Sequence, residues 1–191
     1  PVYNEEAYIA DLIEYLTNVS PLEKEIIFID GVSQDNTSNI INSYAQKHNN
    51  IKLLINSQKY VPFALNMAIP VCSGDYIVRI DAHTQYASDY FTTIISTFLN
   101  TNADIVGGPY RIKHKTQFQH AAGYAISTRL GVGDSKVHQK DYRGYTDSVA
   151  YGAWRRNIFD ETGLFDTRLL RNQDDEFHYR AKSKGKRIYQ N

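Results

Sequence analysis

Apolar residues recur at helical spacing through Ile9, Leu12, Ile13 and Leu16, and Asn4 stands where a helix of that phase would be capped. A short apolar run, Ile26-Ile27-Phe28-Ile29, then stops at Asp30-Gly31, the pattern of a strand buried on both faces. Asp35 to Thr37 offer caps for a second helix carrying Ile40, Ile41 and Tyr44, and Ile51-Lys52-Leu53-Leu54-Ile55 reads as the next strand. A third helix runs through Ala64 and Ala68, and Pro70 should end or kink it. The run Tyr76-Ile77-Val78-Arg79-Ile80 predicts a strand leading into Asp81. A helix near Tyr90 to Leu99 and a strand from Asp104 to Val106 follow.

Alternation of strands and helices predicts a three-layer α/β domain built on a mostly parallel sheet. Ligands of such sheets bind beyond the carboxyl ends of the strands, where Asp30 and Asp81 both fall. The second half is less regular. Gln117 to Leu130 reads as a helix, whereas Gly131 to Asp147 shows no period and reads as a flexible flap beside the site. A last strand begins at Lys186-Arg187-Ile188-Tyr189. Pro1-Val2-Tyr3-Asn4 reads as the turn after a strand that precedes it, so both ends read as cut from a longer polypeptide.

Composition narrows the class. The 191 residues fit one domain, with 42% hydrophobic and 22% charged content. Lys+Arg and Asp+Glu balance at 21 each, so no global charge draws the chain to nucleic acid or an anionic membrane. Cys72 stands alone, which excludes an internal disulfide and a cysteine-rich zinc site and fits a reducing, cytoplasmic setting. No apolar stretch reaches the roughly 18 residues of a membrane span.

Two constellations carry candidate chemistry. Asp81 and His83, two apart after an apolar run, would share one side of the strand if extended geometry persists, and an acid with an imidazole suits a divalent metal. The same triplet also fits a strand-end Asp capping the next turn. Asp174, Asp175 and Glu176, in Asn172-Gln173-Asp174-Asp175-Glu176-Phe177-His178-Tyr179-Arg180, are either a helix start favoured by the macrodipole or the source of a general base. Asp30 before glycine is also good turn chemistry, and Glu5 also a favourable first-turn acid. Trp154 and its neighbour Tyr151 read more often as core or interface aromatics than as a ligand platform. The histidines other than His83, His178 among them, show no ligand spacing.

Taken in order, these residues resemble the family 2 inverting glycosyltransferases of the GT-A fold. The resemblance is carried by Pro1-Val2-Tyr3-Asn4-Glu5, by Asp30-Gly31-Val32-Ser33-Gln34-Asp35-Asn36-Thr37, by Ala64-Leu65-Asn66-Met67-Ala68 with Gly74-Asp75-Tyr76, by Gly163-Leu164-Phe165-Asp166, and by Gln173-Asp174-x-Glu176-Phe177-x-x-Arg180. It spans nearly the whole chain. His83 replaces the final Asp of the family's metal motif, as in the subset resembling succinoglycan-type exopolysaccharide glucosyltransferases, and Gln173 replaces the acid before the base. The Gln-x-x-Arg-Trp motif of processive synthases is absent, which favours single sugar addition.

The resemblance implies a single catalytic domain, with a nucleotide-binding part over about residues 1–108 and an acceptor-binding part over about 109–191. It implies a nucleotide-sugar donor, a UDP-sugar, contacted by Pro1, Tyr3, Glu5, Asp30 and Asp81. A divalent metal would sit on Asp81 and His83, with Mn²⁺ preferred over Mg²⁺ because imidazole is the softer donor. Asp174 would be the base, with Trp154 and Asp175 on the acceptor side. The acceptor would be a saccharide or lipid-linked saccharide at the cytoplasmic membrane face, with membrane association through parts of the parent polypeptide. The competing readings are a nucleotidyltransferase, whose Gly-rich basic phosphate loop is not visible, and a noncatalytic sugar-nucleotide-binding domain.

Overall fold

The structure, a computed structural model, describes residues 1–108, 116 and 141–191. The first half is built as its patterning predicts: α1 (Glu6–Asn18), β1 (Ile26–Asp30), α2 (Thr37–Ala45), β2 (Ile51–Ile55), α3 (Val61–Ala68), β3 (Tyr76–Val78), α4 (Tyr90–Asn100) and β4 (Ile105–Gly107). Pro70 ends α3, which passes into a 3₁₀ turn at Ile69–Val71. After residue 140 come β5 (Gly144–Thr146), β6 (Ala153–Arg155), α5 (Ile158–Thr162), α6 (Gln173–Ser183) and β7 (Ile188–Gln190).

Side-chain alternation along β1 shows why the core has two layers. Ile26 and Phe28 pack with Leu12, Leu16, Ile41 and Phe91, the faces of α1, α2 and α4. Ile29, one residue out of phase, joins Ala64 and Ala68 of α3 on the opposite side. A second apolar body gathers Trp154, Phe159, Phe165 and Phe177 with Ile105 and Ile188, so α5 and α6 close over β4, β6 and β7.

The α/β expectation holds, with a mixed sheet. β1 and β2 pair in parallel. The other strands run in the order β3-β6-β4-β7-β5. Among the described residues only β4–β7 is parallel there; β6 is antiparallel to both β3 and β4, and β5 to β7. Each antiparallel pairing involves β5 or β6, both from the second half.

Two local expectations differ. α1 begins at Glu6, and its N-cap Glu5 makes no side-chain cap bond; Asn4, at φ 52°, turns its Oδ1 to the Gln34 N–H instead. Part of the segment read as a structureless flap, Gly144–Thr146, is a strand on β7, where Tyr145 meets Tyr189 edge to face. The expected helix Gln117–Leu130 and residues 131–140 of that flap lie outside the described residues.

Candidate active site

Two loops beyond β1 are laced together before any ligand arrives. The Asn4 N–H donates to Ser33 Oγ at 2.9 Å, the Gln34 N–H to Asn4 Oδ1 at 2.8 Å, and the Glu5 N–H to Thr37 Oγ1 at 2.8 Å. The Glu6 N–H reaches Asp35 Oδ2 at 3.1 Å, and Asn36 returns two bonds to the Glu6 carboxylate. Residues 3–6 are therefore held by backbone and side chain alike. Tyr3 presents an exposed ring with Lys59 Nζ 5.9 Å from its centroid, and Pro1 is half-buried beside it.

Asp30 is turned into the protein. It is 1% exposed, and its carboxylate accepts the Ser33 N–H and the hydroxyls of Ser33 and Ser38. The expectation of a direct nucleoside contact is corrected: a buried carboxylate whose oxygens are engaged organises the turn rather than reading a base.

Past β3 the chain does not stay extended. The strand ends at Val78, and the Thr84 N–H bonds to Asp81 O at 3.2 Å, closing a turn over Asp81–Thr84. Alternation therefore no longer sets where positions 81 and 83 point. Asp81 is gripped by Arg79, Nε to Oδ1 at 3.1 Å and a second nitrogen to Oδ2 at 3.3 Å, and its N–H donates to the Tyr86 hydroxyl. Burial pushes that phenol up to about 12. His83 instead meets Glu5, Nδ1 to Oε1 at 2.9 Å. Among the described residues no group of three acid, imidazole or thiol side chains converges into a metal cage. A cation shared with a diphosphate needs fewer protein donors, because phosphate oxygens and water complete its shell. Asp81 and His83 supply a carboxylate and an imidazole on one short turn.

On α6 the three acids divide. Glu176 is committed to Arg180 at 2.7 and 2.9 Å, an i,i+4 pair. Arg180 also bonds the carbonyls of Thr162 and Leu164, strapping the end of α5 and the next loop to α6. Asp175 is exposed, whereas Asp174 is half-buried and accepts the Asp175 N–H at 3.1 Å. Asn172, at φ 57°, turns the chain into this helix.

Trp154 does not line an acceptor surface. It is 2% exposed and packs against Phe159, Phe165 and Phe177, so the expected platform is a core residue. β6 delivers it there, because Trp154 pairs with Ile77 of β3 while its ring reaches α6. One indole therefore links the strand leading to Asp81 with the helix carrying Asp174.

His178 escapes a reading by ligand spacing. It is 1% exposed, neither ring nitrogen has a partner among the described residues, and burial lowers its pKa below the ordinary 6.5 against the opposing pull of Asp174 and Asp175. The signal that could have found it is its i,i+4 spacing from Asp174. Asn66 is a second omission: its amide exchanges bonds of 2.8 and 2.9 Å with the Phe165 backbone, tying α3 to the loop before α6.

The described residues thus form a mixed α/β fold with a laced loop beyond β1, an acid–imidazole turn beyond β3 and an acidic helix start. Residues 1–163 match the family model described as glycosyl transferase family 2, and the chain belongs to that family. The succinoglycan biosynthesis protein ExoA of Rhizobium meliloti is 30% identical over 99% of this chain and 58% of its own length. A Methanococcus voltae dolichyl N-acetyl-alpha-D-glucosaminyl phosphate 3-beta-D-2,3-diacetamido-2,3-dideoxy-beta-D-glucuronosyltransferase is 30% identical over 100% of this chain and 62% of its own. The chain thus spans about three-fifths of these relatives. Among solved structures, Staphylococcus aureus TarS 1–349 in complex with UDP superposes with a TM-score of 0.77 at 18% identity, covering 100% of this chain and 56% of that one. The mannosyltransferase PcManGT from Pyrobaculum calidifontis, in complex with GDP-Man and Mn²⁺, gives 0.74 at 18% identity, covering 100% and 55%. These likenesses establish the fold.

Proposed function

We propose that this domain transfers a sugar from a UDP-sugar to a saccharide or lipid-linked saccharide acceptor, with inversion, in the synthesis of an exopolysaccharide or other cell-surface glycan. The observation that carries the reading is the Glu5–His83 contact, which brings the loop after Pro1 and the turn after β3 to one place. The donor side is residues 1–108 and the acceptor side 109–191. The UDP complex of TarS supports the choice of nucleotide, and the Mn²⁺ complex of the Pyrobaculum mannosyltransferase supports a divalent cation. The dolichyl-phosphate-type name of the Methanococcus relative supports a lipid-linked acceptor.

In this mechanism the exposed Tyr3 ring and Pro1 flank the nucleoside, on a loop held in shape by Asp30, Ser33 and Thr37. Asp81 and His83 would hold a divalent ion, Mn²⁺ in preference to Mg²⁺ because imidazole is the softer donor. When bound, it supplies charge neutralisation to the departing diphosphate. Arg79 keeps the Asp81 carboxylate aimed, and Glu5 holds the His83 ring through Nδ1, leaving Nε2 open. Asp174, in the first turn of α6, accepts the proton of the acceptor hydroxyl as its oxygen bonds to the anomeric carbon. The bond to the diphosphate oxygen breaks on the opposite face, its electron pair leaves with the UDP, and the configuration inverts. Asp175, one residue on and exposed, orients the acceptor. Among the described residues no helix is long and apolar enough to cross a membrane. Work at the cytoplasmic membrane face is proposed through the rest of the polypeptide.

The test is product analysis with UDP-sugars, Mn²⁺ and saccharide acceptors. Stoichiometric UDP and an inverted glycoside are expected. Conversion of UDP-sugar and added pyrophosphate to UTP and sugar 1-phosphate, without UDP release, would make the protein a nucleotidyltransferase, and binding without turnover a noncatalytic domain.

A further inference from the structure

Among the described residues the fold buries two ionisable side chains, Asp30 and His178, each 1% exposed. They are treated in opposite ways. The Asp30 carboxylate is engaged by Ser33 and Ser38, whereas neither Nδ1 nor Nε2 of His178 has a partner among the described residues. A buried polar atom left unpaired is costly, so two on one ring call for a partner outside the resting arrangement. A phenylalanine would fill much the same space without that cost.

Placement supplies the partner. His178 stands four residues after Asp174 on α6, one helical turn on, so the two side chains share a face. Asp174 and Asp175 are the charges that act on the imidazole. The other charges of α6 are already engaged, Glu176 with Arg180 and Lys182 with Asp147. Asp174 Oδ1 accepts the N–H of its own neighbour Asp175, and its Oδ2 accepts nothing among the described residues. A carboxylate with an open oxygen and an imidazole with two open nitrogens thus stand one turn apart. The first is half-buried and the second enclosed. Burial keeps the ring neutral at pH 7, with one N–H to donate.

We propose that His178 is a positioning residue for the base: with the acceptor hydroxyl seated, its N–H donates to one carboxylate oxygen of Asp174 and holds the other toward that hydroxyl. The inference rests on the role of Asp174 proposed above. The hydroxyl proton passes to the second oxygen of Asp174 as the acceptor oxygen bonds to the anomeric carbon, and later leaves to solvent from that half-exposed side chain. His178 gains and loses no proton. A base oriented by a third group meets its substrate in one geometry instead of several. The enclosed ring is the fixed part of the pair, and the half-exposed carboxylate the part that meets the acceptor.

The experiment compares single-turnover transfer at saturating UDP-sugar and Mn²⁺ for the parent, His178→Phe, His178→Gln, Asp174→Asn and the Asp174→Asn/His178→Phe double variant, with donor and acceptor binding and thermal melting in parallel. His178→Phe is expected to melt no lower than the parent at pH 7, to bind both substrates within roughly twofold of it, and to transfer roughly 10–100-fold more slowly. His178→Gln restores an N–H donor and is expected to recover most of that loss. In the Asp174→Asn background His178→Phe is expected to cost nothing further, because its effect passes through the carboxylate. If His178→Phe does not fold, His178→Leu takes its place in every comparison. Transfer at the parent rate by the folded apolar variant overturns the proposal. So does a glutamine variant as slow as the apolar one, or an equal loss in the Asp174→Asn background. A parent that transfers no sugar fails the proposed function itself, whereas a transferring parent with a slow Asp174→Asn and a normal His178→Phe fails this inference alone.

Discussion

Replacing Asp30 separates scaffold from ligand contact. Its carboxylate is 1% exposed and holds the Ser33 N–H, the Ser33 hydroxyl and the Ser38 hydroxyl. A hydrogen bond to a charged group contributes about 1.5–3 kcal/mol. In Asp30→Ala the two hydroxyls can rotate to other acceptors, but the buried N–H cannot, so a loss of about 3–5 kcal/mol is expected. Asp30→Asn keeps one acceptor oxygen and should lose about 1–2 kcal/mol. Urea unfolding gives both values from the midpoint shift at constant m. UDP titration at a temperature where all forms are folded should show affinities within roughly threefold for Asp30→Asn, about 0.7 kcal/mol. The reasoning is refuted if Asp30→Ala unfolds like the parent while UDP affinity falls tenfold or more. Asp30 would then read the nucleoside.

Other outcomes follow from the same geometry. His83→Ala should weaken Mn²⁺-dependent UDP binding by roughly tenfold or more and leave the melting midpoint nearly unchanged, because the imidazole is 60% exposed; unchanged metal-dependent binding in calorimetry would remove it from the site. Burial depresses the folded-state pKa of His178 below 6.5, so the unfolded state binds the proton first and stability falls as pH drops below that value, by up to about 1.4 kcal/mol per unit. His178→Phe should flatten that slope in urea unfolding between pH 7 and 5, in about that proportion, and an unaltered slope would assign it to other groups. Trp154→Ala should cost about 3–5 kcal/mol. Trp154→Phe should cost far less, since the indole N–H has no partner to lose; equal losses in thermal melts would contradict the core assignment.

The first half of the fold was legible because its helices carry their own period and its strands lie in apolar runs between them. Ile9, Leu12, Ile13 and Leu16 mark one helical face, and Ile26–Ile29 a strand covered on both sides. The strands of the second half are three residues long, too short to show a period, and Gly144–Thr146 is defined only by its pairing with β7. The site was legible as residue types and not as contacts. Glu5 and His83 were both picked out, but their meeting across 78 residues depends on the fold. The alignment of Asp81 with His83 assumed a strand that in fact ends at Val78. Trp154 looked like a platform because an isolated tryptophan in sequence carries no sign of the three phenylalanines that bury it.

Single-turnover transfer by Asp174→Asn and Asp175→Asn, at saturating UDP-sugar and Mn²⁺ with donor binding measured in parallel, bears most directly on the proposed chemistry. A base acts in the transition state, so Asp174→Asn should bind donor like the parent and transfer sugar roughly 10²–10⁴-fold more slowly, with Asp175→Asn much less affected. An active Asp174→Asn beside an inactive Asp175→Asn would move the base one residue along α6. Normal transfer by both would reduce the acidic turn to a solvated helix start and contradict the mechanism.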